Sequence, residues 1–294
     1  MKIQAFVPVY QESDILPHTL RHLHEQGCAV HVIDGWSTDG SYEIARSMEL
    51  LDMQNQKFLW RPTVERFPAE GPDPIQNCTA ILKRIEDLAA ASDADWLLYT
   101  DADEWRRAPA ALPLSSFGVQ YFKEYPTLSQ AVEAVAQIGY NAIDFRVFQF
   151  YCTDELDKYW NHPVTYCTPA KALSGKLEPS PEEHFRYYDE ADCISRIPNR
   201  KLWKNVGRVQ LAGGGHEVTF PGMRVYPQQF SMKHYPVRTP AQAKAKIETR
   251  LARRCAEEHA KGWGVHYDQY PPGFDFCWDP AKLLYWKDTR SPLP

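Results

Sequence analysis

The segment Asp101-Ala102-Asp103-Glu104 directly follows the apolar run WLLYT, Trp96 to Thr100. Two carboxylates at i and i+2, on a tight turn after a buried strand, can face one point. Oxygen ligands of this kind suit a hard divalent cation, Mn2+ or Mg2+, that keeps open positions for a diphosphate. Asp101 and Asp103 are therefore candidate metal ligands. The competing reading is a solvated turn or helix cap, because an isolated D-x-D is common. Its place directly after an apolar strand raises it above chance. Glu12 and Asp34 also stand just beyond apolar runs, IQAFVPV (Ile3–Val9) and Ala29–Ile33. For Glu12 the competing reading is charge compensation at a helix N-terminus. For Asp39, in GWSTDGS, helix capping is the preferred reading. In the second half, His216 and Glu217 lie in GGGHEV, where three glycines let the backbone pass close to a ligand. A glycine-rich hairpin with a surface Glu competes there. His234 sits in KHYPVR after an expected strand, and a lone His is more often structural.

Strand and helix signals alternate over the first hundred residues. Ile3–Val9 reads as a buried strand. Ser13 can cap a helix with Pro17 in its first turn and Leu16, Leu20 and Leu23 at helical spacing, stopped by Gly27. Ala29–Ile33 is a second strand, and Thr38 or Asp39 caps a helix through Met48. Lys57–Trp60 is expected as a third strand. Asp73-Pro74 should open a helix with the apolar face Cys78, Ile81, Leu82, Ile85, Leu88 and Ala89. Trp96–Thr100 is the fourth strand. This order implies a parallel sheet. Ligands of such sheets bind beyond the carboxyl ends of the strands, so Glu12, Asp34 and Asp101/Asp103 should converge in one crevice. No G-x-G-x-x-G or G-x-x-x-x-G-K-[ST] occurs, which removes most of the weight from dinucleotide and P-loop readings. Later, 128–138 looks helical, 140–151 alternates like a strand, 152–235 is irregular, and 239–259 is a polar helix. The expected fold class is α/β, a Rossmann-type, mostly parallel central sheet flanked by helices. An irregular second half and a C-terminal helical segment follow. The subdivisions 1–105, 106–235 and 236–294 belong to one body.

Of the 294 residues, 44% are hydrophobic and 24% charged, enough for a buried core. The longest stretch without Asp, Glu, Lys or Arg runs from Ala108 to Phe122 and holds two prolines, too short to span a bilayer. The N-terminal apolar run is too short for a signal peptide. A cytoplasmic protein is expected, or one peripheral to the inner face of a membrane. A net charge of −5 argues against a general nucleic-acid binder. Seven Cys without a CxxC suit reduced thiols and make a cysteine zinc site an unattractive reading. His18, His22 and His24 fit an exposed helix face. The helix from Thr239 carries Lys244, Lys246, Arg250, Arg253, Arg254 and Lys261, tempered by Glu248, Glu257 and Glu258. It reads as a solvated face, with an anionic acceptor or membrane surface as the alternative. Aromatics crowd the second half, where flat rings suit stacking on sugars and ordinary packing competes.

Three segments together resemble a family 2 glycosyltransferase of the GT-A fold. VPVYQESDILPHTL is similar to that family's opening strand and helix. VIDGWSTDGS is similar to its D-x-x-S-T-D-G turn, and WLLYTDADEW to its metal-binding D-x-D strand in the DADE variant. The resemblance covers residues 1–105. A looser likeness to bacterial relatives continues through GGGHEV, KHYPVRTPAQAKAKI and GWGVHYD. Gly35-Trp36 departs from the usual smaller or polar residues, and Gln11 replaces a frequent Asn.

The resemblance implies that 1–105 is a nucleotide-sugar-binding half and 106–235 an acceptor and catalytic half of the same GT-A-like domain. Pro8, Tyr10 and Glu12 would line the base and ribose. Asp34 would hydrogen-bond the base, as its counterpart does with uracil. Asp101 would contact the ribose or a metal-bound water, or join Asp103 on the metal, with His234 as third ligand. Lys233 and Arg238 would neutralise the departing diphosphate. An inverting transferase needs a base near the acceptor hydroxyl, for which Glu217 is the choice and His216 the alternative. The implied activity is metal-dependent transfer of a sugar from a nucleoside-diphosphate sugar, UDP-sugar favoured, to a carbohydrate or other hydroxyl acceptor, with inversion. Tyr159-Trp160 and Tyr187-Tyr188 are candidates for shaping the acceptor site. A nucleotidyltransferase would begin with a glycine-rich basic loop, whereas YQES is acidic and lacks glycine. A nucleotide-sugar-binding module without turnover and a transferase acting on a nucleic-acid base are the remaining alternatives. The carboxylates disfavour the first of these two and the net charge the second.

Overall fold

The computed structural model describes residues 1–55, 61–75, 77–109, 111–116, 119–150, 166–169, 199–264, 267–268, 270, 274, 276–277 and 284–285. Two compact units divide the chain. The first comprises Met1–Asp73, Cys78–Phe145 and Pro198–Met232; the second comprises Pro74–Asn77, Arg146–Ile197 and Lys233–Pro294.

In the first unit, apolar runs buried on both faces form the centre of the sheet, as expected of parallel strands covered by helices. Strand β1 (Ile3–Val9) buries Ile3, Ala5, Phe6, Val7 and Val9, and β2 (Cys28–Asp34) buries Cys28, Val30, Val32 and Ile33. β3 is Thr63–Arg66, and β4 is Trp96–Tyr99 with every residue buried. β1 pairs in parallel with β2 (Val9 opposite Asp34) and with β4 (Phe6 opposite Tyr99), and β2 with β3 (Asp34 opposite Arg66). Pro8 lies in this central strand without breaking it, because pairing to β4 runs only from Ile3 to Phe6. The helices are α1 (Leu16–Glu25), α2 (Ser41–Asn55), α3 (Cys78–Ala91) and α4 (Leu128–Gln137). Leu16, Leu20 and Leu23 of α1 are buried, as are Leu82, Ile85 and Ala89 of α3. Gly27 ends α1 at φ +79°, and a Cβ there would stand 2.8 Å from Ser129 Cβ.

After β4 come β5 (Glu104–Arg107), the antiparallel hairpin β6 (Ala111–Ser116) and β7 (Val119–Glu124), β8 (Ala142–Ile143), β9 (Phe145–Phe150) and β10 (Tyr166–Pro169). β11 (Leu202–Lys204), β12 (Gln210–Ala212), β13 (Glu217–Thr219) and β14 (Phe230–His234) follow, and β15 is Leu284–Tyr285. The six-stranded sheet has the order β3-β2-β1-β4-β11-β8, with β11 antiparallel to both neighbours. The α/β class with a mostly parallel central sheet is thus the observed one. Within 199–235, read as irregular from the sequence, short strands form, and β11 extends the sheet past β4.

In the second unit β10 pairs antiparallel with β9 and with β15. α5 (Pro240–Arg253) is capped by Thr239, whose side chain accepts from Gln242 N, and α6 (Ala256–Ala260) follows. The single helix expected over 239–259 is therefore interrupted after Arg253.

Several local expectations are corrected. Ser13 does not cap α1; the cap position is Ile15, without a side-chain bond, and Ser13 N donates to Asp39 instead. The helix expected from Asp73-Pro74 begins at Cys78. The third strand lies at Thr63–Arg66, whereas Lys57–Trp60 is outside the described residues except as sequence, as are Tyr159-Trp160 and Tyr187-Tyr188. His22 is buried, with Nε2 3.0 Å from Arg106 O and its ring stacked on Trp105. Cys28, Cys78, Cys255 and Cys277 are free thiols, and burial pushes Cys28 up to about 12. Among the described residues no helix is long and apolar enough to cross a membrane.

Candidate active site

The carboxyl ends of β1, β2 and β4 meet along one edge. Gly35 N donates to Val9 O at 2.8 Å, and Thr100 N to Phe6 O at 3.2 Å. These bonds set Tyr10, Asp34 and Asp101 on neighbouring strand ends.

The two loops after β1 and β2 clasp each other through side chains. Gln11, at φ +58°, donates its N–H to Ser37 Oγ at 3.0 Å and accepts on Oε1 from Thr38 N (2.9 Å) and Asp39 N (3.1 Å). Glu12 N donates to Ser41 Oγ at 3.0 Å. Asp39 accepts from Ser13 N (2.9 Å) and from Ser41 N and Oγ (3.0 and 2.6 Å). Burial acts upward on the Asp39 carboxyl, but these Ser41 and Ser13 bonds outweigh it and hold the group below its ordinary value. The S-T-D-G-S stretch is therefore a loop fastener, with Asp39 tying the turn to the start of α2.

Asp34 is fully buried. Its Oδ2 accepts from Ser37 N at 3.1 Å, and among the described residues its buried Oδ1 has no hydrogen-bond partner. Burial raises its pKa, against the lowering by Ser37 and the nearby Arg66. Arg66, its register partner, places Nε 3.9 Å from Asp34 Oδ2. That guanidinium lies 4.6 Å from the Trp36 ring centroid and 4.1 Å from the Tyr42 ring centroid. Trp36 adopts φ +65° and donates Nε1–H to Pro68 O at 2.7 Å. The departure at Gly35-Trp36 thus builds an aromatic and cationic wall beside an unsatisfied carboxylate.

The D-x-D turn is held by a buried charge network that the sequence reading missed. Glu104 accepts from Arg106 Nη2 at 2.5 Å, from Lys201 Nζ at 3.0 Å on both oxygens, and from Asp101 N at 3.1 Å. Arg106 also donates to Thr100 Oγ1 (3.2 Å) and Asn199 Oδ1 (3.0 Å), with Phe145 beneath it at 4.5 Å. Asp101 accepts from Tyr99 Oη on Oδ1 and from Lys201 Nζ on Oδ2, each at 3.0 Å. Its side chain keeps 39% exposure, whereas that of Lys201 keeps 1%. Asp103 is buried. Tyr99 is raised well above the ordinary phenol value, first by burial and then by the Asp101 and Glu104 charges. The one sequence signal for Lys201 was the apolar pair Leu202-Trp203 beside it.

Among the described residues no group of three or more His, Cys, Asp and Glu side chains is placed to hold a metal ion. In ligand type Asp101 and Asp103 fit a hard cation, and Asp101 is reachable from solvent. GGGHEV forms the β12–β13 hairpin. Gly215 stands against Tyr99, where a Cβ would come within 2.2 Å of the ring, so the hairpin packs directly under the D-x-D strand. Arg200 N donates to His216 O at 2.9 Å, and Glu217 is ion-paired with Arg200 at 3.2 Å. Lys233, His234 and Arg238 belong to the second unit. Lys233 is buried with Nζ 5.5 Å from the Phe150 ring, and Arg238 is buried with Nη1 donating to Tyr235 O at 3.1 Å.

No family model and no curated protein matches the sequence. Among solved structures, the chain is similar to the mannosyltransferase PcManGT from Pyrobaculum calidifontis, in complex with GDP-Man and Mn2+ (19% identity, TM-score 0.31). That likeness covers 54% of this chain and 37% of that one. It is similar to residues 1–349 of S. aureus TarS in complex with UDP (12% identity, TM-score 0.40), covering 88% and 68%. It is also similar to mannosyl-3-phosphoglycerate synthase from Rubrobacter xylanophilus (14% identity, TM-score 0.34), covering 70% and 54%. The chain therefore spans little over half of the synthase and about a third of the mannosyltransferase. Its α/β class stands on its own strand order and register.

Proposed function

We propose that the protein is a GT-A-like, metal-dependent glycosyltransferase that moves a sugar from a nucleoside-diphosphate sugar, UDP-sugar favoured, to an acceptor hydroxyl with inversion. One observation carries the reading: Asp34, with a buried oxygen that has no partner among the described residues, shares a strand-end edge with Tyr10 and the D-x-D turn. A buried acceptor without a donor invites a ligand N–H, and the neighbouring Arg66 offers a donor. That pair suits the imide edge of uracil, with Pro8, Tyr10 and Glu12 along the base and ribose.

A divalent ion, Mn2+ or Mg2+, assigned to Asp103 with Asp101, would supply Lewis-acid stabilisation of the leaving diphosphate. His234 as third ligand, and Lys233 and Arg238 as diphosphate partners, rest on the sequence resemblance alone. The acceptor oxygen bonds to the anomeric carbon as the bond from that carbon to the diphosphate breaks. The acceptor proton passes to a base, assigned to Glu217 with His216 beside it. Arg200 keeps the Glu217 carboxylate in place. We place the enzyme in the cytoplasm, with peripheral contact at the inner membrane face as the membrane-associated variant.

The test is thermal stability against a panel of nucleoside diphosphates with and without Mn2+, in wild type and Asp103→Ala. A ligand that binds only the native state raises Tm by mass action. A shift for UDP that needs both Mn2+ and Asp103 supports the donor class and the metal together. No shift for any diphosphate overturns the reading.

A further inference from the structure

The D-x-D turn already holds a cation of its own. We propose that Lys201 is the resident cation of this turn, a positioning residue whose ammonium occupies the Asp101 side of the cluster and sets how tightly a divalent ion can bind there. The inference rests on reading the turn as the cation-facing part of a donor site. Lys201 Nζ lies 3.0 Å from Asp101 Oδ2 and 3.0 Å from each oxygen of Glu104, and 4.4 Å from the centre of the Tyr99 ring. The side chain is 1% exposed, so this is no solvated lysine swinging past a carboxylate. Its backbone is fixed as well, since Tyr99 N donates to Lys201 O at 2.9 Å and Leu202 begins the strand paired with β4. Two carboxylates, Asp101 and Glu104, therefore face two buried cations, Lys201 and Arg106.

Two consequences follow for this chain's own groups. Asp101 has both oxygens engaged, one by Tyr99 Oη and one by Lys201, so its orientation is fixed before any ligand arrives. A divalent ion approaching Asp101 meets a like charge in hydrogen-bond contact with the same carboxylate, and because that ammonium is buried the repulsion is screened less than between two exposed charges. Lys201 thus keeps the turn close to neutral and limits metal affinity in the absence of nucleotide. A doubly charged diphosphate would restore the attraction, which couples metal binding to donor binding.

The decisive measurement is Mn2+ alone, titrated into the protein without nucleotide and followed by the paramagnetic resonance signal of the free ion. Lys201→Met is expected to bind Mn2+ at least tenfold more tightly than wild type. Lys201→Arg, which keeps the charge, should stay at the wild-type level, and adding Asp101→Asn to Lys201→Met should return the affinity to it. In Lys201→Met the buried Glu104 retains Arg106. If that variant does not fold, Glu104→Gln/Lys201→Met removes both members of the pair and should show the same tightening. Unchanged or weaker Mn2+ binding in the variant that folds overturns the proposal, as does a tightening that survives Asp101→Asn. Replacing a lysine with only a structural role would not raise metal affinity. A wild type that ignores every nucleoside diphosphate, while Lys201→Met tightens Mn2+, would remove the donor reading and keep the lysine assignment.

Discussion

Replacing Asp34 by Asn separates the cost of burying a carboxylate from its use. Asp34 is fully buried, and its Oδ1 has no partner among the described residues. A buried acceptor left unsatisfied costs about 1–3 kcal/mol, more when charged. Asparagine keeps an oxygen to accept from Ser37 N and removes the charge. The expected net gain for the unliganded protein at pH 7 is about 1 kcal/mol, a Tm increase of roughly 2–4 °C for a chain of this size. The pH dependence fixes the sign. Burial raises the folded pKa of Asp34 above its ordinary 3.8. Between those two values the native state binds more protons than the unfolded state, so this group's contribution falls as pH rises through the window. The Asn advantage is therefore complete above the folded value, shrinks as pH falls through it, and is gone below about 3.8. Urea melts of both proteins at pH 7 and pH 4 read the difference directly. At a UDP concentration near 100 times Kd, wild type should gain about 2.7 kcal/mol and the variant most of that less. An Asn protein less stable at pH 7, or equally advantaged at both pH values, would refute the burial argument. A stabilised variant that keeps its full UDP response would refute Asp34 as the base ligand.

Other perturbations probe the supports. Arg106→Ala removes one of the two cations on the buried Glu104 together with the bonds to Thr100 and Asn199, and should cost about 3–5 kcal/mol in denaturant melts. Lys83→Ala, at an exposed i,i+4 pair, should leave those melts unchanged. Gly215→Ala forces a Cβ to within 2.2 Å of the Tyr99 ring at φ +92° and should lower stability by about 1–3 kcal/mol. Because Tyr99 Oη holds Asp101, the Mn2+-dependent nucleotide shift should weaken in the same variant. Glu217→Gln should lower kcat about 10²- to 10⁴-fold with KM for the donor little changed, read by product formation once the donor is known.

Three of the four parallel strands, β1, β2 and β4, were legible because each is an apolar run bounded by helix or turn signals, whereas β3 (TVER) is polar and lies at Thr63–Arg66, not at Lys57–Trp60. Their parallel pairing followed from the alternation. What escaped was structure whose stability is non-local. β11 is three residues long, with no periodicity to detect, and exists because β4 offers it a hydrogen-bonding edge; β8, two residues within the run 140–151 that reads as one strand, pairs in turn with β11. His22 was assigned to solvent because histidine is polar, yet it lies beside the leucine stripe of α1 and bonds a carbonyl of β5. The Asp73-Pro74 start signal was sound chemistry at the wrong place, since the residues that pack, Leu82 and Ile85, permit α3 to begin at Cys78.

The acidic turn shows why a motif names a place before it names roles. Sequence gives Asp101, Asp103 and Glu104 as three like carboxylates, and chemistry allows any of them to face a cation. The fold makes them unlike. Glu104 is enclosed by Arg106, two residues away, and by Lys201, 97 residues away, whereas Asp101 stays open to solvent at the same lysine. Burying Glu104 without those cations would be prohibitive, so the partners had to exist somewhere in the chain. Which lysine it was could not be read from NRKLWK, where three basic residues look alike. Pairing of Leu202 with Leu98 is what carries Lys201, and not Lys204, to the turn. Roles within the D-x-D motif are therefore set by a strand register that no local pattern encodes. Substitutions at Lys201 should consequently alter the turn's cation chemistry as strongly as substitutions within the motif itself.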